Sequence, residues 1–567
     1  MNTGIGEFIR ESRIAYFSME IGVRSDMPTY SGGLGVLAGD TIKSAADLKL
    51  PMVAVTILTK KGYFKQEIDK DGRQIELPEE WDVNRFMTPL QEKISIDIEG
   101  RNVHIVSWLY IVESAAGGKV PIIFLDTDIP DNKSEDREIT HYLYGGNEVY
   151  RLKQEIVLGI GGIRMLDRLG FEIKKYHMNE GHSSLLVLEL LKKYRRDIEE
   201  VWDEKLIWDI EKVRNLCVFT THTPIAAGHD KFSYELLQNI LSDGISINLI
   251  KEFAGGEYLN MTLLALNLSR YINGVAKRHG EVSKGMFPGY EIHAITNGVH
   301  SFTWTCDSFK KLYDKYLPGW ANEPETFVRI GRIPDDELWN THMEAKRHLI
   351  DYVNQETHTE MNYDILTIGF ARRVTAYKRA DLLFTDMERL ARIGNGKIQI
   401  IYAGKAHPKD EPGKMLIKRI IEIKERLDGR IKIIFLKNYN IDLALKLVSG
   451  VDVWLNTPQR PLEASGTSGM KASHNGVPNF SVLDGWWIEG HIEGYTGWSI
   501  GPSLDTATDL QKDADDLYYK LENIIIPTFY NDRRTWIRIM QNAIGKNAYY
   551  FNSHRMMRRY VTEAYIR

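Results

Sequence analysis

Ile365-Leu366-Thr367-Ile368-Gly369-Phe370 is an apolar run of strand length. It is followed by the basic loop Arg372-Arg373-Val374-Thr375-Ala376-Tyr377-Lys378-Arg379 and a helical pattern from Ala380 to Ile393. The same unit recurs downstream. Ile398-Gln399-Ile400-Ile401-Tyr402-Ala403 precedes a helix from about Lys414, and Ile431-Lys432-Ile433-Ile434-Phe435-Leu436 precedes a helix through Leu443 to Val448. Val451-Asp452-Val453-Trp454-Leu455 precedes a Gly/Ser loop ending at Lys471 with its own helix, and a last strand falls near Asn479 to Leu483. Buried strands alternating with helices predict an α/β fold with a parallel sheet covered on both faces.

The first half follows the same logic less cleanly. Ile14-Ala15-Tyr16-Phe17-Ser18, Met52-Val53-Ala54-Val55-Thr56-Ile57, Leu216-Cys217-Val218-Phe219-Thr220 and Ile292-His293-Ala294-Ile295 are the strand candidates. A β-ribbon insertion is expected around residues 62 to 125, where Asp69-Lys70-Asp71-Gly72 carries the Asp-Gly signal of a hairpin turn. At 567 residues the chain exceeds one ordinary core. Two Rossmann-like domains, 1–299 and 300–567, are expected to face a central cleft, with the stretch from Asp532 to Arg567 crossing back to the first. Ligands in such sheets bind beyond the carboxyl ends of the strands.

Composition narrows the partners. Hydrophobic residues make up 43% and charged residues 26%, with a net charge of −5 in which the two signs are interspersed. This disfavours nucleic acid and membrane surfaces and points to a small or neutral ligand. The two cysteines, Cys217 and Cys306, lie far apart, so neither a disulfide framework nor a cysteine zinc site is expected, and a reducing cytoplasm fits. No signal-peptide pattern or bilayer-length apolar run is seen.

Several loops at strand ends carry chemistry. In Glu463-Ala464-Ser465-Gly466-Thr467-Ser468-Gly469-Met470-Lys471, the glycines allow N–H groups to converge on an anion and the hydroxyls add donors, while Lys471 offers an amine for an aldehyde. Together these are the demands of pyridoxal phosphate, although a Gly-Ser run ahead of a helix is also a plain N-cap. The cations of the loop from Arg372 to Arg379 fall where this fold puts ligands and point to an anion. Gly32-Gly33-Leu34-Gly35 opens a helical stretch from Val36 to Leu48, which suits close backbone approach or simple turn geometry equally. His222, in Thr220-Thr221-His222-Thr223-Pro224, is placed to donate to a sugar hydroxyl or carbonyl, or else to be satisfied structurally by backbone groups. His177 and His182 lie five apart and would not share a helical face as zinc ligands do, so no metal is expected. The Trp486-Trp487 pair reads as core.

With these loops in view the chain resembles the α-glucan (glycogen, starch, maltodextrin) phosphorylases, short prokaryotic branch, with ordered motif matches in both halves. EASGTSGMK is similar to that family's pyridoxal-lysine motif, RVTAYKR to its phosphate loop, SGGLG to its glycine loop, TTHT to its substrate-histidine loop and ITNGV to its sugar-binding asparagine. The resemblance implies the GT-B glycosyltransferase architecture and Lys471 as the tether of pyridoxal 5′-phosphate. It places Thr467, Ser468, Gly33 and Arg372 around the cofactor phosphate and Tyr439 beside the ring. It also implies Arg373 and Lys378 at the substrate phosphate, and His222, Asn297, Glu463, Ser465, Gly466 and Leu34 around the glucosyl unit. Thr375 and Ala376 stand where animal and plant relatives have His-Glu, and Ser468-Gly469 where they have Gly-Asn. The chain is shorter than those relatives and lacks their N-terminal regulatory extension, so control by phosphorylation or nucleotides of that style is not expected.

The implied reaction is retaining phosphorolysis of α-1,4-glucans by inorganic phosphate to α-D-glucose 1-phosphate, by an enzyme that could be a homo-oligomer. No carboxylate pair at glycosidase spacing is evident, which disfavours hydrolysis. The rival readings are a nucleotide-sugar-dependent glucan synthase of the same architecture and an inactive glucan-binding protein.

Overall fold

The computed structural model describes residues 4–198, 203–225, 228–241, 244–502 and 508–566. In chain order the strands of the first half are β1 (Ile14–Phe17), β2 (Met52–Ile57), β3 (Lys65–Ile68), β4 (Gln74–Leu77), β5 (Thr88–Ile98), β6 (Arg101–Glu113), β7 (Lys119–Asp126), β8 (Lys175–Asn179), β9 (Cys217–Thr220), β10 (Lys231–Phe232), β11 (Leu259–Asn260), β12 (Tyr271–Gly274) and β13 (His293–Ala294). Those of the second half are β14 (Leu366–Ala371), β15 (Ile398–Ala403), β16 (Lys432–Leu436), β17 (Val453–Asn456), β18 (Asn479–Val482) and β19 (Gly497–Ile500).

Two large sheets result, one ordered β13-β12-β9-β8-β1-β2-β7-β6-β5 and the other β16-β15-β14-β17-β18-β19. The second is parallel throughout and, counted from its first strand, runs 3-2-1-4-5-6, the doubly wound order. The first repeats that order from β1, adds β13 parallel beyond β12, and adds β6 and β5 antiparallel on the far side of β7. The order reverses at β1/β8 in one sheet and at β14/β17 in the other, so loops on either side of each reversal splay apart and open a crevice. β1, β2, β14 and β15 are buried along their whole length, as expected of strands covered on both faces.

The ribbon expected around residues 62 to 125 is resolved into two parts. β3 and β4 form the hairpin predicted around Asp71-Gly72, whereas β5 and β6 extend the main sheet through β7. The hairpin is seated on the second half. Gln66 Nε2 donates to Gly404 O at 2.9 Å, Gln74 Nε2 to Ala406 O at 2.9 Å, and Ala406 N to Gln74 Oε1 at 3.0 Å. The single helix expected from Ala380 to Ile393 is broken. Leu382–Phe384 is a 3-10 turn, and a new helix, Met387–Gly394, starts where the Asp386 side chain accepts from Arg389 N. The C-terminal helix Ser553–Tyr560 packs in the same apolar cluster as the helix Gly33–Asp47. Beyond it, Tyr565 OH lies 2.7 Å from His177 Nδ1 inside the first half. His177 Nε2 is 2.8 Å from Thr220 Oγ1, so this histidine is a satisfied core residue.

Candidate active site

The carboxyl ends of β14 and β17 set one wall of the cleft. Arg372 follows β14 and the loop carrying Glu463 follows β17. Arg372 Nη2 donates to Glu463 Oε2 at 2.5 Å and Lys378 Nζ donates to the same oxygen at 2.6 Å. Burial alone would raise the Glu463 pKa, but the two cations outweigh it and hold the carboxyl at about 2. Glu463 N donates to Asp484 Oδ2, which fixes the loop. Arg372 keeps two buried nitrogens, Nε and Nη1, without partners among the described residues. Arg373 turns toward the first half, where a Cβ on Gly32 would lie 3.4 Å from its Nη2. Among the described residues its guanidinium makes no hydrogen bond or ion pair.

Lys471 belongs to the short helix Ser468–Ser473, entered through Gly466 at φ +76°. Gly469 lies inside that helix, where the space it leaves serves packing. A Cβ there would sit 2.2 Å from Asn479 Oδ1 and 2.8 Å from the Trp486 ring. Ser468 Oγ accepts from Trp454 Nε1, and the buried Ser465 Oγ has no partner among the described residues. The Lys471 ammonium lies 3.8 Å from the centre of the Trp304 ring, without a hydrogen bond or ion pair among the described residues. Burial pulls its pKa down to about 8, with Lys43 adding to the effect and Asp40 opposing it. Trp304 is fixed in turn by donating Nε1 to Asp40. Tyr439 lies close enough to Arg372 for that charge to oppose the rise that burial imposes on its phenol. Trp486 and Trp487 are core, as the sequence suggests.

The facing wall, beyond β1 and β8, has a different chemistry. Buried Glu20 takes the N–H groups of Ser31 and Gly32 on Oε2, at 2.6 and 3.2 Å, and Tyr144 OH on Oε1 at 2.9 Å. It thereby shapes the glycine loop at the residues just ahead of Gly33 and Leu34. Gly35 has no room for a side chain, since a Cβ would lie 2.6 Å from Glu20 Oε2. Glu180, with φ +74°, sits in backbone that L residues rarely adopt, a strain of about 1–3 kcal/mol. It accepts from His222 N at 2.7 Å and Thr223 Oγ1 at 3.0 Å, and burial pushes its carboxyl up to about 7.

The protonation of His222 follows from its neighbours. Ser18 Oγ donates to the carbonyl of Glu20, so it must accept from Asn179 Nδ2, which turns Asn179 Oδ1 toward His222 Nε2 at 2.7 Å. His222 Nε2 therefore carries the ring proton and Nδ1 is a bare acceptor. Burial holds the pKa at about 3, so the ring is neutral. The side chain donates to Asn179, which leaves Nδ1 as the ring's acceptor.

Asn297, after β13, is buried, and its Oδ1 has no partner among the described residues. The structure thus gathers Arg372, Lys378 and Glu463 directly, sets Arg373 against the glycine loop and buries Lys471 against Trp304. Glu20, Asn179, Glu180, Trp304 and Asp40 were missed as site residues. For Glu20 a usable signal existed, a carboxylate three residues beyond a fully apolar strand.

The sequence profile of the carbohydrate phosphorylase family matches residues 22–137 and 245–495. The chain is 42% identical to the maltodextrin phosphorylase of Thermococcus litoralis over 98% of its own length and 70% of that protein's. It is 37% identical to the glycogen phosphorylase of Aquifex aeolicus, covering 97% of the chain and 86% of the relative. An uncharacterized protein of Methanocaldococcus jannaschii matches at 33% over 97% of the chain and 99% of the relative. The chain belongs to the carbohydrate phosphorylase family.

Proposed function

We propose that the two walls act together in retaining phosphorolysis, in which inorganic phosphate cleaves the terminal unit of an α-1,4-glucan such as maltodextrin or glycogen. The chain is a phosphorylase that releases glucose 1-phosphate. The carrying observation is the buried Lys471 amine beside Trp304, on the same wall as a guanidinium that keeps two nitrogens free. Membership of the family implies pyridoxal 5′-phosphate, and these groups fit it: an amine depressed to about 8 for the aldehyde, with Arg372, Thr467, Ser468 and Gly33 for the phosphate and Tyr439 for the ring. When bound, that cofactor supplies a second phosphate that exchanges a proton or charge with the substrate phosphate.

The chain's own residues do the rest. Arg373 and Lys378 hold inorganic phosphate and stabilise the charge developing in the transition state, each worth roughly 3 kcal/mol as a preorganised donor. Glu463, ionised by its cations, orients them through Oε2 and accepts from a sugar hydroxyl through Oε1. His222 accepts another hydroxyl on Nδ1, and Asn297, Ser465, Gly466 and Leu34 complete the grip, which tightens as the ring flattens toward an oxocarbenium ion. The two sheets are read as the Rossmann-like domains of a GT-B architecture, 1–299 and 300–567, with the last helix returning to the first; the repeated strand order supports this. The test is an assay of glucose 1-phosphate release from maltodextrins and glycogen at fixed phosphate, with an absorbance scan of the same sample. Turnover of a nucleotide sugar without phosphate dependence, and no cofactor band, would overturn the reading.

A further inference from the structure

The segment carrying Asn297 is held from three sides. From the first sheet, Val275 O accepts from Asn297 N at 3.0 Å. From the second half, Glu489 accepts from Thr296 Oγ1 at 2.9 and 3.0 Å. From the C-terminal segment, Arg555 Nη2 donates to Asn297 O at 2.9 Å. Arg555 is itself pinned, since its Nε donates to Tyr550 O at 2.9 Å and its guanidinium carbon lies 4.7 Å from the centre of the Tyr550 ring. Next to this contact Val299 pairs with Asn552 as a parallel bridge, and a Cβ on Gly298 would fall 2.1 Å from Asn552 O. The segment therefore cannot slide relative to residues 551–555. Among the described residues Asn297 Oδ1 has no partner of its own, so the direction of the amide depends on where this backbone is held.

We propose that Arg555 is a positioning residue for recognition of the glucosyl unit. By holding Asn297 O it fixes the backbone from which the Asn297 amide reaches the sugar, which makes the returning C-terminal segment part of the active site. This rests on the reading of Asn297 as a sugar ligand. The side chain must reach two carbonyls at once, Tyr550 O and Asn297 O. A planar guanidinium does this with separate N–H groups, whereas a lysine ammonium concentrates its donors at one point.

The test is a double-mutant cycle on the holoenzyme with Asn297→Ala, Arg555→Lys and the pair, reading KM for glucose 1-phosphate in the synthetic direction and KM for phosphate in the degradative one. Each single variant should raise KM for glucose 1-phosphate about tenfold and leave that for phosphate unchanged. The pair should be no worse than Asn297→Ala alone, because the two act through one contact. Thermal unfolding and cofactor absorbance of each variant should match the wild type. Additive effects, equal losses for both substrates, or a loss that simply tracks a lowered melting temperature would overturn the role of Arg555 and leave the site reading intact. A normal KM for glucose 1-phosphate in Asn297→Ala would overturn both.

Discussion

The two walls of the cleft share a strand order and oppose each other in charge. Beyond β14 and β17 stand Arg372, Arg373, Lys378 and Lys471; at the carboxyl ends of β1, β8 and β9 stand Glu20, Asn179, Glu180 and a neutral His222. Both sets gather at or beside the point where strand order reverses, so the scaffold supplies the location and the residues supply the chemistry. One wall gathers cations, the other mainly hydrogen-bond acceptors. A phosphate and a sugar held between them would each face the complementary side.

The largest expected effect that could break this contrast comes from Lys471→Ala. It should remove the cofactor band and lower phosphorolysis by roughly 10³-fold or more, measured as kcat at saturating phosphate. Retained activity would show that the cationic wall does not depend on the tether. Arg373→Ala comes next, with a fall of about 10²–10³-fold in kcat/KM for phosphate, because an unpaired cation facing the cleft is lost. An unchanged phosphate dependence would take Arg373 out of the anion site. A third test concerns Glu463, whose carboxyl is held at about 2 against an ordinary value near 4.5. A depressed folded-state pKa adds stability that is present above about 4.5 and lost as the pH falls toward 2, on the order of 3 kcal/mol in all. Unfolding followed against pH should show that loss in the wild type and a flatter profile in Glu463→Gln. Identical profiles would mean that the cations do not rely on this carboxylate. The smallest effect is expected on the facing wall. Glu20→Gln keeps an oxygen for the N–H groups of Ser31 and Gly32, so kcat/KM should fall only about threefold. A loss as large as that of Arg373→Ala would mean that the charge of Glu20, and not its shape, is what the wall needs.

Much of this was legible in the sequence because it depends on local order. Arg372, Arg373 and Lys378 follow an apolar run, and Lys471 follows a Gly/Ser loop, so residue type and strand end together mark them. Trp304 and Asp40 are 264 positions apart and Arg555 and Asn297 are 258 apart, so no local pattern connects them. Gly469 shows a different limit. A glycine can be needed for its backbone angle or for the space it leaves, and only the neighbouring Asn479 and Trp486 decide which. β8, β12 and β19 did not stand out as apolar runs: β8 holds His177 and Asn179 buried in hydrogen bonds, β12 buries Asn273, and β19 is a four-residue edge strand. The helix expected from Ala380 to Ile393 failed because Asp386, about halfway along it, caps a new helix by accepting from Arg389 N.

The return of the C-terminal segment bears on how the protein is made. Tyr560 OH receives a hydrogen bond from Asn273 Nδ2 and Tyr565 OH reaches His177 Nδ1, both inside the first half. During synthesis the opening half must wait on the ribosome without these partners until 287 residues after Asn273 and 388 after His177 have emerged. Nascent chains halted near residue 550 should accordingly be cut by protease within the first half, and resistance there would show that it matures unaided.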